Sequence, residues 1–361
     1  MAHEPVGSFQ AGAPAGAPGA QPREFDALLT EWRARALALE AEVAKAVIGQ
    51  GRVIRLVNTA VFARGHVLLQ GDVGVGKTLL LRAFAHVLGG DFARTEGTID
   101  LMPSDLIYYT YISAEGRPAV EPGPLIRHGE DLAIFFFNEM NRARPQVHSL
   151  LLRAMAERSV AAFNRDHRFP HLLVFADRNR VEREETFEIS SAARDRFMME
   201  VTIDAPADDA DRRRLMFDPR FHDMDALIGE LAGAQLDHRQ LNRVAELIQR
   251  GVQASEALQD YALALWRATA APADYGVRLS DLDSAQLMLA GASPRGMSLL
   301  LRAARVAAWL DGRSYVTPED VRAVFVETIA HRLVYQPVFE MRRHEITGRL
   351  MSGILAAVAA P

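Results

Sequence analysis

The sequence contains no cysteine, which excludes disulfides, zinc–thiolate sites and thiol nucleophiles and is compatible with a reducing compartment. No segment runs long enough without charge to span a membrane, and the N-terminus lacks the basic region and apolar stretch of a secretion signal. Positive charge is not in excess either: the net charge of -5 disfavours nucleic acid as the main partner, although a local basic groove is compatible with it. These absences favour a cytoplasmic protein that acts on neither membranes nor nucleic acid.

Size and composition indicate a globular protein with two domains. The chain has 361 residues, of which 49% are hydrophobic and 24% are charged. Residues 1–24 differ, because their middle is a Pro/Gly/Ala tract with almost nothing to bury. We expect a disordered tail there, then an amphipathic helix from residue 25 and, after a bend at Gly49, a second helix.

Residues 71–78 form the most specific motif of the chain. They fit the phosphate-loop pattern G-x-x-x-x-G-K-[ST] at every fixed position, and in order they are Gly71, Asp72, Val73, Gly74, Val75, Gly76, Lys77 and Thr78. An apolar run precedes them and a helical pattern follows, so a buried strand enters the loop and a helix leaves it. The glycines can turn backbone N–H groups toward phosphates, Lys77 supplies a mobile cation, and the Thr78 hydroxyl can ligate Mg²⁺. The alternative is a glycine-rich turn that binds nothing, but the lysine, the hydroxyl and both flanks favour ATP and Mg²⁺ as cofactors.

Short apolar strands alternate with helical stretches after this loop. That order predicts an α/β fold, a parallel sheet with helices on both faces. The strongest strand, residues 132–137, is apolar at every position and ends in Asn138 and Glu139. In phosphate-loop ATPases, carboxylates at such a strand end position Mg²⁺ and the attacking water. A polar strand end without a role is the alternative, and the complete phosphate loop upstream favours the functional interpretation.

Three further polar positions lie near the next two strands. Asn179 follows the strand of residues 171–176, and its amide could reach the γ-phosphate or simply cap a turn. Arg194 and Arg196 precede a strand over residues 198–203. Arginines before an apolar strand are more often solvated than catalytic. The residues alone leave both questions open.

Helical periodicity replaces the strand pattern beyond about residue 205. It is clearest over residues 241–250, 257–271 and 298–310. Thr317 and Pro318 begin another helix, because threonine caps a helix and proline suits its first position. The sequence thus predicts a nucleotide-binding core over residues 25–205 and an all-α lid domain over residues 206–361, with a helix at its C-terminal end.

The order of these features resembles an AAA+ ATPase, and several blocks resemble the MoxR family in particular. The resemblance covers residues 46 to 332, and its blocks are Gly65-His66-Val67-Leu68-Leu69 before the phosphate loop, Leu101-Met102-Pro103-Ser104-Asp105-Leu106, Gly123-Pro124-Leu125, Asn138-Glu139-Met140-Asn141-Arg142-Ala143, Gly291-Ala292-Ser293-Pro294-Arg295 and Val316-Thr317-Pro318-Glu319-Asp320-Val321. No block after the phosphate loop is specific alone, but their order and combination are.

The resemblance implies roles for individual residues in nucleotide binding and hydrolysis. Thr78 and the side chain at position 138 would hold Mg²⁺, and Glu139 would polarise the hydrolytic water. Asn179 would be the sensor-1 residue. The segment that contains Ile48 and Gly49 would line the adenine pocket.

The resemblance also implies arginine roles that require several subunits. Arg196, with Arg194 as a second candidate, would be the arginine finger presented to a neighbouring subunit. Arg295 would be the sensor-2 arginine, touching the phosphates from the lid so that nucleotide state sets the lid angle. Because a finger acts across an interface, we expect a homo-oligomer, typically a hexameric ring in this family.

A protein client is implied as well. The family's best-known clients are metal- or cofactor-containing enzymes, methanol dehydrogenase among them, and members frequently work with a partner that carries a von Willebrand factor A domain. A hairpin predicted over residues 105–125 resembles the family's insert near the ring opening, and a second hairpin is predicted over residues 160–169. Tyr108, Tyr109 and Tyr111 could contact a client, although aromatic residues in hairpins usually pack on cross-strand neighbours. A nucleic-acid motor is a further hypothesis, which the acidic balance opposes.

Three blocks depart from the family pattern. Asn138 stands where the family has Asp, Tyr108 where it usually has Gly, and residues 177–180 read Asp-Arg-Asn-Arg where T-Q-N-P is usual. The lost charge at position 138 is expected to weaken the Mg²⁺ site and slow hydrolysis while nucleotide binding persists. It also supports an alternative function, a hydrolysis-impaired nucleotide switch that serves as an assembly or regulatory module.

Overall fold

The structure, a computed structural model, describes residues 20–179 and 186–361. Residues 1–19 of the predicted tail, and Arg180 of the strand-end block, lie outside the described residues. The first helix, α1, spans Ala20–Ala46, so it begins inside the range expected for the tail. Alanine, glutamine and arginine favour a helix there, and proline is tolerated in its first turn.

Helices and strands alternate through the N-terminal part of the chain as the sequence predicts. Gly49, with φ +71°, makes the bend after α1. The elements that follow are α2 (Gly51–Phe62), β1 (Val67–Gly71), α3 (Lys77–Leu88), β2 (Asp91–Glu96), β3 (Tyr108–Ile112), β4 (Pro118–Pro122), β5 (Leu132–Asn138), α4 (Pro145–Glu157), β6 (Ser159–Ala162), β7 (Arg165–Arg168), β8 (Leu173–Asn179), α5 (Ser191–Arg194) and β9 (Met199–Thr202).

The central sheet is parallel and has the strand order β2-β5-β8-β1-β9 within the described part of the chain. Neighbouring strands are not consecutive in sequence, as in other doubly wound folds. The carboxyl ends of β5, β8 and β1 therefore meet at one edge. Both predicted hairpins are also present, since β3 pairs with β4 and β6 with β7 in antiparallel fashion.

β5 shows how the sheet separates two hydrophobic layers. Ile134 and Phe136 join a cluster formed with α1, α2, α3 and the C-terminal helices, whereas Phe135 and Phe137 join a second cluster formed with α4. Every residue of β5 is buried. Burial on both faces explains why this strand is apolar until its last residue.

The C-terminal part is mainly helical, as predicted. Its elements are α6 (Asp209–Phe217), α7 (Met224–Gly229), α8 (Leu241–Gly251), α9 (Glu256–Ala270), β10 (Met288–Ala290), α10 (Pro294–Leu310), α11 (Pro318–Ile329), β11 (Val334–Tyr335), α12 (Pro337–Glu340) and α13 (Arg343–Ala357). The Thr317 side chain and Asp320 form a capping box at the start of α11. The predicted helical lid is confirmed, and it also holds one short antiparallel pair, β10 with β11. Strands of two or three residues are too short to show a periodicity.

Candidate functional site

The phosphate loop turns between β1 and α3 at the carboxyl edge of the sheet. Gly74 and Gly76 have φ of +82° and +90°, a backbone region that residues with a side chain rarely adopt. Gly71 is needed for close approach, because a Cβ there would lie 2.4 Å from the Ile203 carbonyl oxygen. Since α3 begins at Lys77, its free N–H groups and positive dipole end face the loop.

A cavity of about 230 Å³ opens beside the loop. It brings the loop together with the ends of β5 and β8, as expected for parallel strands. Its lining residues are Val73, Gly74, Val75, Gly76, Lys77, Thr78, Leu79, Asn138, Glu139, Asp177, Asn179 and Met224.

Lys77 is held inside this cavity by oxygen atoms. Its ammonium donates to the backbone carbonyls of Gly71 and Asp72 at 2.9 Å each, and to Asn179 Oδ1 at 2.7 Å. The Lys77 side chain is buried. A buried ammonium so close to the loop is positioned to pair with phosphate oxygens in place of backbone carbonyls.

Glu139 completes a chain of polar contacts that starts at Lys77. Asn179 Nδ2 donates to Glu139 Oε1 at 3.3 Å, and Arg142 pairs with Glu139 Oε2 at 3.0 Å. Glu139 adopts φ +50°, an uncommon backbone conformation that ends β5 abruptly. Asn179 therefore contacts both the phosphate-binding lysine and the candidate base, as a sensor between them would.

Asn138 and Asp177 lie side by side at the ends of β5 and β8. Phe137 pairs with Ala176 in the sheet, so Asn138 and Asp177, which follow them, lie at the same height along the two strands. The Asn138 amide, oriented by its hydrogen bonds, donates to both Asp177 carboxylate oxygens at 3.2 Å and accepts from Arg94 at 3.2 Å. Burial raises the pKa of the Asp177 carboxyl to about 6, despite the hydrogen bond from the Glu139 N–H and the charge of Lys77.

The side chains of this cavity fit a magnesium ion that arrives with a nucleotide. The described residues contain no group of three or more His, Asp or Glu side chains that could hold a metal by themselves. Mg²⁺ in nucleotide sites needs only one or two protein oxygen ligands, because phosphates and waters supply the rest. The Thr78 hydroxyl and the nearby carboxylates of Asp177 and Glu139 meet that requirement.

The structure places Ile48 and Gly49 apart from this cavity's lining. Ile48 is buried, and a Cβ on Gly49 would lie 2.8 Å from Pro206. The neighbouring Gln50 donates to the Asp204 carbonyl at 2.6 Å. The segment therefore packs against the connection from the sheet to α6, and its adenine-binding role stays a prediction.

Arg194, Arg196 and Arg295 gather around Asp195, away from the residues that line the cavity. Arg194 is buried, and burial lowers the pKa of its guanidinium to about 10. Arg196 is half-buried, and its side chain forms no hydrogen bond or ion pair with any described residue. Asp195 binds Ser293 at 2.6 Å and Arg295 at 2.7 Å. Arg295 thus lies beside the predicted fingers rather than beside Lys77 of its own chain.

One tyrosine of the β3–β4 hairpin packs on the other predicted hairpin. Tyr108 contacts Phe163 of the β6–β7 hairpin, with ring centroids 5.4 Å apart. Tyr109 and Tyr111 are exposed, with 42% and 50% of their surface accessible. Side chains alternate along β3, so Tyr108 and Ile112 share one face of the hairpin with Val120, whereas Tyr109 and Tyr111 lie on the other face. On the first face the two hairpins present one apolar surface, which we call the hairpin surface and define by Tyr108, Ile112, Val120 and Phe163.

Sequence reasoning missed the contact between Asn138 and Asp177. Both positions were recognisable as departures from the family pattern, and each follows an apolar run by one residue. What the sequence does not contain is the register between β5 and β8, which tertiary pairing sets.

Comparison with known proteins agrees with this geometry. The family models for the ATPase family associated with various cellular activities (AAA) and for the AAA lid domain match residues 66–199 and 282–348. Protein MoxR of Methylorubrum extorquens is 57% identical over 339 residues, which cover 94% of this chain and 99% of that protein. Chaperone MoxR1 of Mycobacterium tuberculosis is 31% identical over 329 residues, which cover 89% of this chain and 81% of that protein. The crystal structure of a Cytophaga hutchinsonii protein described as an ATPase has a TM-score of 0.79 at 29% identity, covering 94% of this chain and 98% of that one.

The parallel sheet, the phosphate loop with its strand-end residues and the helical lid define a protein of the AAA+ ATPase class. Relatives that share the name MoxR align with this chain over most of their length, which narrows the assignment to one family within the class. The chain belongs to the MoxR family of AAA+ ATPases, so the resemblance is confirmed. None of the helices that the structure describes has the length and apolarity that a bilayer span needs.

Proposed function

We propose that the protein is a cytoplasmic, ring-forming ATPase that couples ATP binding and hydrolysis to the remodelling or maturation of a protein client. The observation that carries this proposal is the contact chain from Lys77 through Asn179 to Glu139, inside a cavity bounded by a complete phosphate loop. A site that only bound phosphate would not need a carboxylate linked to the binding lysine.

Each of these side chains has a defined task in this proposal. Lys77 exchanges its backbone carbonyl partners for phosphate oxygens. Glu139 accepts a proton from, or orients, the attacking water, and Asn179 holds Glu139 in reach. Mg²⁺, when bound with nucleotide through Thr78, neutralises charge on the phosphates.

A ring supplies an arginine to the cavity. Among the residues that the structure describes, no arginine lines the cavity, whereas transfer of a phosphoryl group builds charge that arginine fingers stabilise. The Arg196 side chain has no hydrogen-bond or ion-pair partner among the described residues and is accessible enough to reach a neighbour. A neighbouring subunit in a hexameric ring would bring Arg196 to the phosphates, with Arg194 behind it as a buried support.

The hairpin surface is the proposed contact with the client. It exposes aromatic and aliphatic side chains that a monomeric protein would normally bury. One relative is named a chaperone, and the family resemblance suggests a metal- or cofactor-containing enzyme, such as methanol dehydrogenase, as client and a von Willebrand factor A domain protein as partner. The alternative, a hydrolysis-impaired switch, is favoured by the uncharged Asn138 and requires that the wild type binds ATP without turnover.

Replacing Lys77 tests the nucleotide site directly. Lys77→Ala removes a charge-assisted contact worth about 1.5–3 kcal/mol, so ATP affinity should fall at least about tenfold and hydrolysis should be lost. Lys45, the other lysine of the chain, is exposed on α1 and makes Lys45→Ala the matched control. Titration with a fluorescent ATP analogue and a phosphate-release assay measure both effects. Equal affinity of the two variants would refute the assigned site.

A further inference from the structure

The cavity contains a carboxylate next to position 138, although Asn138 itself carries no charge. Asp177 is 2% exposed, yet it lines the cavity together with Lys77 and Thr78. It extends from β8, the strand beside the one that ends in Asn138. The negative charge that the family pattern places on β5 is therefore present one strand away.

We propose that Asp177 is the metal-site carboxylate of this ATPase and binds a water of the nucleotide-bound Mg²⁺, with Asn138 as its positioning residue. This inference rests on the proposed ATP-binding function. It assigns to Asp177 the task that the sequence alone assigned to position 138.

The hydrogen bonds around Asp177 fix its carboxylate without using all of its capacity. Oδ1 accepts the Glu139 N–H at 2.5 Å, and the Asn138 amide donates to both oxygens at 3.2 Å. An ionised carboxylate offers about four acceptor positions, so room remains for a water molecule. The oxygen of the same amide accepts from Arg94, which keeps the NH₂ group turned toward Asp177.

The pairing also explains why position 138 is an amide. A second carboxylate there would face Asp177 across the separation that now carries hydrogen bonds. Two like charges so close cannot both stay ionised, and one of them would take up a proton. An amide at one position and a carboxylate at the other give one negative charge with a defined orientation. The two departures from the family pattern are thus a single exchange of charge between neighbouring strands.

The test measures how Mg²⁺ changes the affinity for a fluorescent ATP analogue, with EDTA as the metal-free reference. Asp177→Asn should bind the analogue in EDTA as the wild type does, and the Mg²⁺ concentration needed for half of the affinity gain should rise by about 10–100-fold. Asp100→Asn, which removes the same charge at an exposed position, is the matched control. Asp177→Thr, the family residue, serves as a second variant if the amide impairs folding, which thermal unfolding reports.

Exchanging the residues at positions 138 and 177 tests whether the Mg²⁺ response depends on the negative charge itself or on the wild-type arrangement of side chains. In the double variant Asn138→Asp/Asp177→Asn, the new carboxylate can accept from Arg94 as before and from the new amide, so the hydrogen bonds between positions 138 and 177 are kept with their direction reversed. We expect Mg²⁺ affinity within about threefold of the wild type, well inside the loss from Asp177→Asn alone. Electron paramagnetic resonance of Mn²⁺ in place of Mg²⁺ gives the same comparison without hydrolysis.

Two results would overturn the inference. Either Asp177→Asn and Asp177→Thr keep the Mg²⁺ response of the wild type, or the double variant folds but fails to regain it. Both results leave ATP binding intact and so leave the proposed function standing. Failure of the wild type to bind the analogue in EDTA and in Mg²⁺ would refute the proposed function, and the inference with it.

Discussion

His66 is buried at the start of β1 and is held by the backbone of two other elements. Its Nδ1 accepts the Val174 N–H at 2.9 Å, and its Nε2 faces the Met155 carbonyl at 3.4 Å. Burial, reinforced by the charge of Arg158, lowers the pKa of the imidazole to about 3. The imidazole is therefore neutral in the folded state, because a proton on Nδ1 would point at the Val174 N–H group.

This residue predicts a loss of stability in acid. A histidine with a lowered folded pKa stabilises the native state above its unfolded pKa of about 6.5, and the contribution is lost as pH falls toward the folded value. Between pH 7 and pH 5 the free energy of unfolding should drop by about 2 kcal/mol from His66 alone. In His66→Asn, the amide oxygen can still accept the Val174 N–H but cannot titrate, so this part of the slope should vanish.

Urea denaturation at several pH values measures this slope, and His222→Asn, at an exposed histidine, is the matched control. The slope is compared rather than the stability at one pH, because the smaller asparagine also leaves a cavity. A slope in His66→Asn as steep as that of the wild type would contradict the assignment.

At the same scale, the sequence predicted the residues of the site better than their partners. Lys77, Glu139 and Asn179 all line one cavity, as the motif order indicated. The expectation that Asn138 leaves the metal site without a negative charge was based on the end of β5 alone. The Asp177 carboxylate beside it depends on strand register, which no local pattern encodes.

At the scale of elements, Arg332 fastens the C-terminal part to the core. Its buried side chain follows α11 and donates to the Asp195 carboxylate at 3.1 Å and to the Phe197 carbonyl at 2.5 Å, and also to the Thr328 carbonyl. Gly296 of α10 leaves the space for it, because a Cβ there would lie 2.5 Å from Arg332 Cδ.

Removing this guanidinium should destabilise the protein strongly. Arg332→Met keeps the volume of the side chain but removes one donor from the part-buried Asp195 carboxylate, which keeps Ser293 and Arg295, and leaves the Phe197 and Thr328 carbonyls without the guanidinium. Breaking a buried ion pair typically costs about 3–5 kcal/mol. Arg349→Met removes an exposed arginine that pairs with Asp281 and should change the melting temperature little. Calorimetry of both variants decides the matter, and equal melting temperatures would show that the Arg332 contacts add nothing.

Element prediction succeeded where periodicity was long and failed where it was short. The apolar run of β5 and the helical stretches of α8, α9 and α10 are buried as their patterns require. The pair β10 and β11 gave no signal, because each strand has too few residues to alternate. Its strands lie before α10 and after α11, so they are far apart in sequence, and only the tertiary fold brings them together.

At the scale of the whole molecule, activity should depend on neighbours. Arg196→Ala removes the proposed finger but leaves Glu139 intact, and Glu139→Gln does the reverse. Each variant alone should bind ATP and hydrolyse it at least about a thousandfold more slowly. Mixed together they should regain activity, because some interfaces then join an intact finger to an intact Glu139.

Phosphate release measures the mixture, and native mass spectrometry confirms that mixed rings form. Arg213→Ala, at an exposed arginine of α6, should behave as the wild type does. Mixed rings that stay as inactive as the separate variants would exclude action of Arg196 across the interface.

The bonds around Asp195 also limit how the molecule can move. Ser293, Arg295 and Arg332 attach the lid to one residue of the core, and Arg196 is its immediate neighbour in the chain. A rotation of the lid that keeps these bonds must also move the loop that contains Arg196. The lid angle and the position of the proposed arginine finger are then coupled. In the proposed ring, a subunit that changes its lid angle would thereby change the geometry of its neighbour's catalytic site, and the contacts of Asp195 would then determine the order in which the subunits hydrolyse ATP.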